Sequence, residues 1–361
     1  MEDNDVNLHT EFSIVMECIA SNDLNRIFSN KKSLLINLIY SNNTALVDVV
    51  LENGADPNFE PIPYLNPLML ASFKGYDKIV GSLIKHGANI NATNEFGVTV
   101  LMSALKYSTP KCIELILKAN PNIHLYCIDG NNALIHAAYR GDMKFIGTLI
   151  KKGANINHRN NEGISAFWVV SYHRIIDAIG ILADLGAEVN ISNKEGFTPL
   201  INAIKNQDIN TIRFFISKKA DLYTRTPEGI MPVHFAIMSG NVMIMSIFEK
   251  YHPRKDFHNI LKVPSLISLI YSKKANVDSI KYLVHLGCDV NQVIYLYELS
   301  ITPLIIAIYK DEFIIAQTLL ELGANPNLGV EQFPLDYAIE KANENENDFR
   351  YVDLLRSYGV V

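Results

Sequence analysis

The residues of this chain that could carry acid–base, nucleophilic or metal chemistry do not form a known catalytic pattern. The 361 residues include ten histidines and four cysteines, but the histidines do not cluster in the sequence. We find no phosphate-binding glycine loop, no His-Glu-x-x-His pair, no Gly-x-Ser-x-Gly elbow and no EF-hand loop. We therefore expect a protein that is not an enzyme and that needs no cofactor.

The nearest approach to a metal site in the sequence is the pair Cys127 and His158. Zinc normally needs at least three protein ligands, and this pair offers two, so no metal site is expected. No two cysteines show Cys-x-x-Cys spacing, which favours reduced, buried thiols in a cytosolic-type compartment. The four cysteines are Cys18, Cys112, Cys127 and Cys288.

Aromatic and basic residues recur together along the first half of the chain, at a step of 33 residues. The pairs are Phe73-Lys74, Lys106-Tyr107, Tyr139-Arg140 and Tyr172-His173. Tyrosine beside lysine or arginine is a mixture that protein interfaces favour. These eight residues are therefore the candidate protein-binding site, and the alternative is that the aromatic side chains complete a core at helix ends.

Acidic residues form a second row, in which each member stands one or two residues before a glycine. They are Glu95, Asp129, Glu162, Glu195 and Glu228. An acid before glycine is ordinary turn chemistry. The alternative is a charged border that faces the aromatic–basic pairs.

An internal repeat must position both rows. The motif Gly-Ala-Asn-Ile-Asn at Gly87–Asn91 returns at Gly153–Asn157, and variants occur at Gly54–Asn58 and Gly186–Asn190, at steps of 33 residues or twice that. A second glycine series keeps the same step: Gly97, Gly130, Gly163, Gly196 and Gly229. Two phased series at one period predict stacked repeats rather than one globular core.

Each unit predicts a tight turn followed by two short helices. After Gly97, one helix should begin within Val98–Leu101 and run to about Tyr107, and Pro110 should open a second. The second helix should close at Asn120, where other units place glycine, because asparagine also tolerates the left-handed conformation.

These motifs resemble those of a known repeat family. Helix starts read Thr198-Pro-Leu200 and Thr302-Pro-Leu304, and units end in Gly-Ala-Asp/Asn-x-Asn. From about Leu34 onward the chain resembles ankyrin-repeat proteins. The resemblance implies an all-α solenoid of helix-turn-helix units with β-turn fingers, in which the ends of the inner helices line a concave face. It also implies that His234 makes local hydrogen bonds. Trp168 is expected in the core or at the base of a finger, and the alternative is an exposed binding anchor.

Departures from the family pattern predict weak points and region boundaries. Lys219 and His252 replace a terminal glycine, where positive φ strains a side chain. Residues 251–263 predict an irregular joint, and insertions lie in Val293–Ser300 and Ala342–Asp348. The expected regions are an atypical N-terminal helical cap (1–33, with a short helix pair over Glu11–Asn30), regular repeats (34–252), and irregular repeats with a C-terminal cap (253–361).

The bulk properties argue against several classes of partner. A net charge of −6 gives no reason to expect nucleic-acid binding. The most apolar long window, Ile164–Ala183, contains ionisable side chains and is a poor membrane span. Met1–Asp5 shows no secretory signal. We expect a cytoplasmic monomer without a nucleic-acid or membrane partner.

The sequence thus favours a non-enzymatic scaffold that binds an unidentified protein or extended peptide along a concave groove. An alternative is a host-directed effector or adaptor that recruits cellular machinery such as a ubiquitin ligase or a cytoskeletal protein, in the host cytosol if it is secreted. Alanine at Tyr139, Arg140 and Tyr172 together is expected to abolish binding and leave the fold intact. Burial of Tyr107, Tyr139 and Tyr172 would reject the groove.

Overall fold

A computed structural model describes residues 2–63, 65–251, 265–296, 299–329, 333–344 and 348–360. Its contacts divide the chain into two compact units, Met1–Lys194 and Glu195–Val361. The helices of the first unit are α1 Glu2–Ala20, α2 Leu34–Tyr40, α3 Thr44–Glu52, α4 Pro67–Lys74, α5 Asp77–Lys85, α6 Val100–Tyr107, α7 Pro110–Lys118, α8 Ala133–Arg140, α9 Met143–Lys151, α10 Ala166–Tyr172 and α11 Ile176–Asp184.

The first unit is a stack of helix pairs. The inner helices pack side by side in the order α2, α4, α6, α8 and α10, and the outer helices α1, α3, α5 and α7 do the same. Ala71, Ala104 and Ala137 are fully buried in the inner row, and Leu83 and Leu149 fill the core from the outer row. Small residues between inner helices and large apolar ones behind them therefore build one continuous core for this unit.

The inner helices begin where a buried polar side chain caps them. In the first unit these N-cap residues are Ser33, Asn66, Thr99, Asn132 and Ser165. The side-chain oxygen of each accepts a hydrogen bond from the backbone N–H three residues later, at 3.0–3.3 Å. Each cap satisfies an N–H group that the helix itself leaves unpaired.

A tight turn, the finger, precedes each inner helix. In the finger before α6, the side chain of Asn94 accepts hydrogen bonds from the N–H groups of Phe96 and Val98, at 3.0 and 2.9 Å. Gly130 holds φ at 77° in the next finger, and a Cβ there would lie 2.8 Å from the backbone nitrogen of Asn161. The second glycine series thus serves turns that stack closely on one another.

The N-terminal region differs from the predicted helix pair over Glu11–Asn30. One helix, α1, covers Glu2–Ala20, and the chain then turns instead of forming a second helix. Ile27 bridges Ser33, as Thr93 bridges Thr99 in a regular finger. Positive φ angles at Asn22 and Lys31 interrupt a helix at both ends of this segment, so its apolar residues belong to a first finger.

The asparagine that closes the Gly-Ala-Asn-Ile-Asn motif links neighbouring repeats. The side-chain oxygen of Asn91 accepts the N–H of Asn122, 31 residues later, at 2.7 Å. Asn58 and Asn157 accept equivalent N–H groups at 2.6 and 2.8 Å. The motif is therefore structural, because its last residue connects one repeat to the next.

The second unit repeats the same pairing. Its described helices are α12 Pro199–Lys205, α13 Ile209–Ser217, α14 Pro232–Met238, α15 Val242–Tyr251, α16 Ser265–Tyr271, α17 Val277–His285, α18 Pro303–Tyr309, α19 Phe313–Glu321, α20 Pro334–Glu344 and α21 Arg350–Ser357. The inner helices α12, α14, α16, α18 and α20 pack in order, and α21 packs on α20. Strands β1 Ile294–Leu296 and β2 Leu299–Ile301 form an antiparallel hairpin.

The departures from the repeat pattern have specific structural outcomes. Lys219 has a φ of 60° and Asn120 a φ of 57°, so both occupy the left-handed conformation that was expected at these positions. The insertion in Val293–Ser300 is accommodated by the β1–β2 hairpin. Some departures lie outside the described residues, namely His252, nearly all of the predicted joint over 251–263, and residues 345–347 of the C-terminal insertion.

Candidate functional site

The eight predicted site residues lie together at the C-terminal ends of four successive inner helices. Phe73 and Lys74 end α4, Lys106 and Tyr107 end α6, Tyr139 and Arg140 end α8, and Tyr172 ends α10 with His173 following it. We call this set the helix-end surface. Its regular spacing follows from the repeat, because each inner helix ends at the same place in its unit.

The four aromatic side chains of the helix-end surface are about half exposed. The exposed fractions are 49% for Phe73, 54% for Tyr107, 48% for Tyr139 and 51% for Tyr172. These side chains therefore do not complete a core, and they remain accessible to a partner. Trp168, in contrast, is only 8% exposed and belongs to the core, as the sequence predicted.

Ring contacts hold the exposed aromatic side chains in place. The ring centres of Phe73 and Tyr107 are 5.1 Å apart in an edge-to-face arrangement. Tyr172 stacks on Trp168 with ring centres 5.2 Å apart, and the ring centres of Tyr139 and His173 are 5.8 Å apart. Such contacts restrict side-chain rotation before any partner arrives, which lowers the entropy cost of binding.

The basic residues of the helix-end surface have different roles. The Lys106 ammonium lies 4.9 Å from the ring centre of Tyr107, and that of Lys74 lies 5.6 Å from the ring centre of Tyr40. Arg140 donates hydrogen bonds to the carbonyl oxygens of Leu105 and Ser108, at 3.2 and 3.0 Å. Arg140 therefore caps the end of α6, and its replacement would disturb the fold as well as the surface.

A cleft of about 720 Å³ lies between the fingers and the inner helices of the first unit. It brings Phe73, Lys106 and Tyr107 together with Glu95 and Asp129 of the finger row. Tyr139, Arg140, Tyr172, His173 and Lys74 do not line it. The structure thus joins one part of the helix-end surface to the acidic fingers in a single concavity.

Several lining residues of the cleft were not singled out in the sequence. Met69 and Met102 stand two residues before the small alanine of their helices, and Phe96 occupies a finger tip where it is exposed. An apolar side chain on a finger tip was the available signal. The methionines gave no comparable signal, because their spacing also fits core residues.

His136 also lines the cleft, and its pKa is lower than that of an ordinary histidine. Burial lowers the pKa of His136 to about 4, the nearby Lys106 ammonium lowers it further, and the Asp129 carboxylate partly opposes this shift. Its Nε2 atom is buried and has no hydrogen-bond partner among the described residues. The imidazole is therefore neutral near pH 7 and can accept or donate a hydrogen bond there.

The finger acids differ in their ion pairs. The Glu162 carboxylate lies 3.6 Å from the Lys194 ammonium. Within the described part of the chain, neither Glu95 nor Asp129 has an ion-pair partner. The two acids that border the cleft are thus available for a charged group from outside.

The remaining candidates for chemistry have structural roles. The four cysteines are buried, and a ring nitrogen of His158 lies 2.8 Å from the Gly130 carbonyl oxygen. His234 accepts the N–H of Met231 through Nδ1 at 3.0 Å, which is a local hydrogen bond as predicted. No group of three or more potential metal ligands occurs in the described ranges.

The sequence model for ankyrin repeats (three copies) matches residues 68–160 and 166–257, together about half of the chain. The chain belongs to the ankyrin-repeat family. Repeats of this family are generally protein–protein interaction modules and are typically non-enzymatic. A comparison with curated protein sequences finds no match.

Two solved ankyrin-repeat domains show the same fold as this ankyrin-repeat chain. The domain of human ASB11 has 20% identity and a TM-score of 0.54, and the match covers 62% of this chain and 99% of that domain. The domain of Bcl-3, described as a unique member of the IkappaB family, has 20% identity and a TM-score of 0.52, with coverage of 60% and 97%. These similarities confirm the predicted all-α repeat fold.

None of the described helices is both long enough and apolar enough to cross a membrane.

Proposed function

We propose that this ankyrin-repeat chain is a non-enzymatic interaction module that binds a protein or an extended peptide across the helix-end surface. The observation that carries the proposal is the row of half-exposed aromatic side chains at matching positions of four inner helices. Tyrosine and other aromatic residues dominate interface energetics because they bury large areas at a low entropy cost.

The experiment that tests this function replaces Tyr107, Tyr139 and Tyr172 with alanine and keeps Arg140, which caps α6. The chain is used as bait in its native extract, and captured proteins are quantified by mass spectrometry. Removing three interface aromatics should weaken capture of a specific partner at least tenfold, since hot-spot side chains commonly contribute 2 kcal/mol or more.

A matched control replaces two exposed aromatic residues outside the helix-end surface, Phe12 and Tyr358. Its capture profile and its melting curve by circular dichroism should equal those of the native chain. Equal capture by the native chain and by the triple variant would refute the helix-end surface as the binding site.

The proposal includes a monomer in the cytoplasm with no nucleic-acid partner. Four buried cysteines without Cys-x-x-Cys spacing support a reducing compartment, and the net charge of −6 disfavours phosphate backbones. The adaptor or effector role would use the same surface to recruit cellular machinery, and no described contact favours it over simple binding.

A further inference from the structure

The cleft of the first unit lies between inner helices on one side and fingers on the other, and both sides contribute apolar side chains. The inner helices contribute the rings of Phe73 and Tyr107, and the opposite finger contributes the exposed ring of Phe96. The thioether side chains of Met69 and Met102 also line it. The cleft can therefore enclose a long apolar stem between aromatic rings.

The charged groups of the cleft have an acidic excess. Glu95 and Asp129 are both exposed and lack ion-pair partners among the described residues, whereas Lys106 is the one basic residue that lines the cleft there. The two acids occur on adjacent fingers, which the hydrogen bond from the Ile128 N–H to the Phe96 carbonyl joins at 2.9 Å. The excess charge thus lies along one border, opposite the helix-end rings.

The chemistry of this border selects a cation. The carboxylates of Glu95 and Asp129 only accept hydrogen bonds, so they favour a group that donates them. Lysine and arginine side chains only donate, and their methylene stems pack along apolar surface while the charged head reaches polar groups. Their cationic heads are also attracted to the faces of aromatic rings.

We propose that the cleft binds a lysine or arginine side chain of the partner, with the cation at Glu95 and Asp129 and the stem between Phe73, Phe96 and Tyr107. This inference rests on the proposed function, because it describes the partner of the same surface. Lys106 opposes the incoming cation and limits the affinity, so the cleft has one residue whose removal strengthens binding.

The test begins with a phage-displayed library of short random peptides, selected on the full chain. Peptides are kept when they are enriched on the native chain and lost on the variant Phe73→Ala/Tyr107→Ala. These peptides should carry lysine or arginine next to an apolar residue. Enrichment of acidic peptides, or of peptides without charge preference, overturns the cation assignment and leaves the proposed function standing. If no peptide is enriched on the native chain and lost on the variant, both the cation assignment and the proposed function are overturned.

The enriched peptide is then synthesised, and its Kd is measured by fluorescence anisotropy against charge variants. Glu95→Gln/Asp129→Asn should weaken binding about tenfold at low salt, since charge-assisted hydrogen bonds are lost. Lys106→Met should strengthen binding about threefold, because it removes a like charge. Weaker binding to Lys106→Met, or unchanged binding to the double variant, overturns the assignment.

The matched control is Glu162→Gln, which removes a finger acid that pairs with Lys194 and does not line the cleft. Its Kd should equal that of the native chain. Circular dichroism melts of all variants establish that they fold, which is expected because the side chains of Glu95 and Asp129 are exposed. A loss of binding in Glu162→Gln equal to that of the double variant would attribute the effect to overall charge and overturn the assignment.

Discussion

At the scale of single residues, many polar side chains of this chain complete the repeat, and a few buried ones have no hydrogen-bond partner among the described residues. The caps Thr99 and Asn132 and the linking residue Asn91 each accept a backbone N–H. His136 differs from them, because its buried Nε2 has no partner in the described part of the chain. Unsatisfied polar groups are rare in native structures, and they mark places where stability was exchanged for another property.

The acidity of His136 predicts how stability depends on pH. The folded pKa of about 4 is below the ordinary value of 6.5, so the unfolded chain takes up a proton at a higher pH than the folded chain does. The contribution of neutral His136 to the free energy of unfolding is fully present above pH 6.5 and is lost as the pH falls towards 4. At pH 5 the loss should be about 2 kcal/mol.

Urea unfolding of His136→Gln at several pH values measures this contribution. The variant should lose less stability than the native chain between pH 6.5 and 4, whereas His124→Gln, which alters an exposed finger residue, should follow the native curve. Identical pH dependence of His136→Gln and the native chain would show that His136 does not titrate in this window.

At the scale of helices and turns, the sequence predicted nearly every element because each repeat obeys local rules. Pro110 begins α7 and Asn120 closes its turn in the left-handed conformation, as the residue types required. The N-terminal segment was the exception, since the apolar spacing of Leu24, Ile27 and Phe28 fits a helix as well as a finger. The backbone bridge between Ile27 and Ser33 shows that the segment forms a finger, and apolar spacing alone does not reveal this bridge.

The turn at Lys219 provides a test at this scale. Its φ of 60° places a side chain where glycine is preferred, and this conformation costs roughly 1 kcal/mol for most residues. Lys219→Gly should raise the free energy of unfolding by about 0.5–1 kcal/mol. Asn120→Gly, at the equivalent turn, should gain less, because asparagine tolerates positive φ. A loss of stability in Lys219→Gly, measured by urea unfolding, would contradict this account.

At the scale of the whole molecule, the order of the repeats was predictable and the contents of the cleft were not. The period of 33 residues determines which positions face each other, whereas the exposure of Tyr107, Tyr139 and Tyr172 is visible only in the structure, because their spacing also fits a core at helix ends. The cleft depends on which side chains from neighbouring repeats meet, and on which acids find an ion-pair partner. Sequence spacing does not contain that information, because Asp129 and Glu162 occupy equivalent positions and, among the described residues, only Glu162 of the two has an ion-pair partner.

Repeat proteins are stabilised by nearest-neighbour contacts, so one poor repeat weakens the chain locally. We expect the repeat that ends at Lys219 to open most readily among the central repeats. Hydrogen exchange should be faster for the amides of α13 than for those of α6 and α8, because local opening sets the rate. Faster exchange in α6 or α8 would place the weak point elsewhere. His252, the other predicted weak point, lies outside the described residues.

The β1–β2 hairpin shows how the chain absorbs extra length. Asn291 accepts the N–H of Asn325 at 2.7 Å across 34 residues, whereas the equivalent bonds of the first unit span 31. The surplus residues fall within the β1–β2 segment, and the inter-repeat bond is intact. Foreign sequence inserted between Leu296 and Leu299 should likewise leave the bond between Asn291 and Asn325 intact. This hairpin is therefore a suitable place for grafting a tag or a second recognition loop.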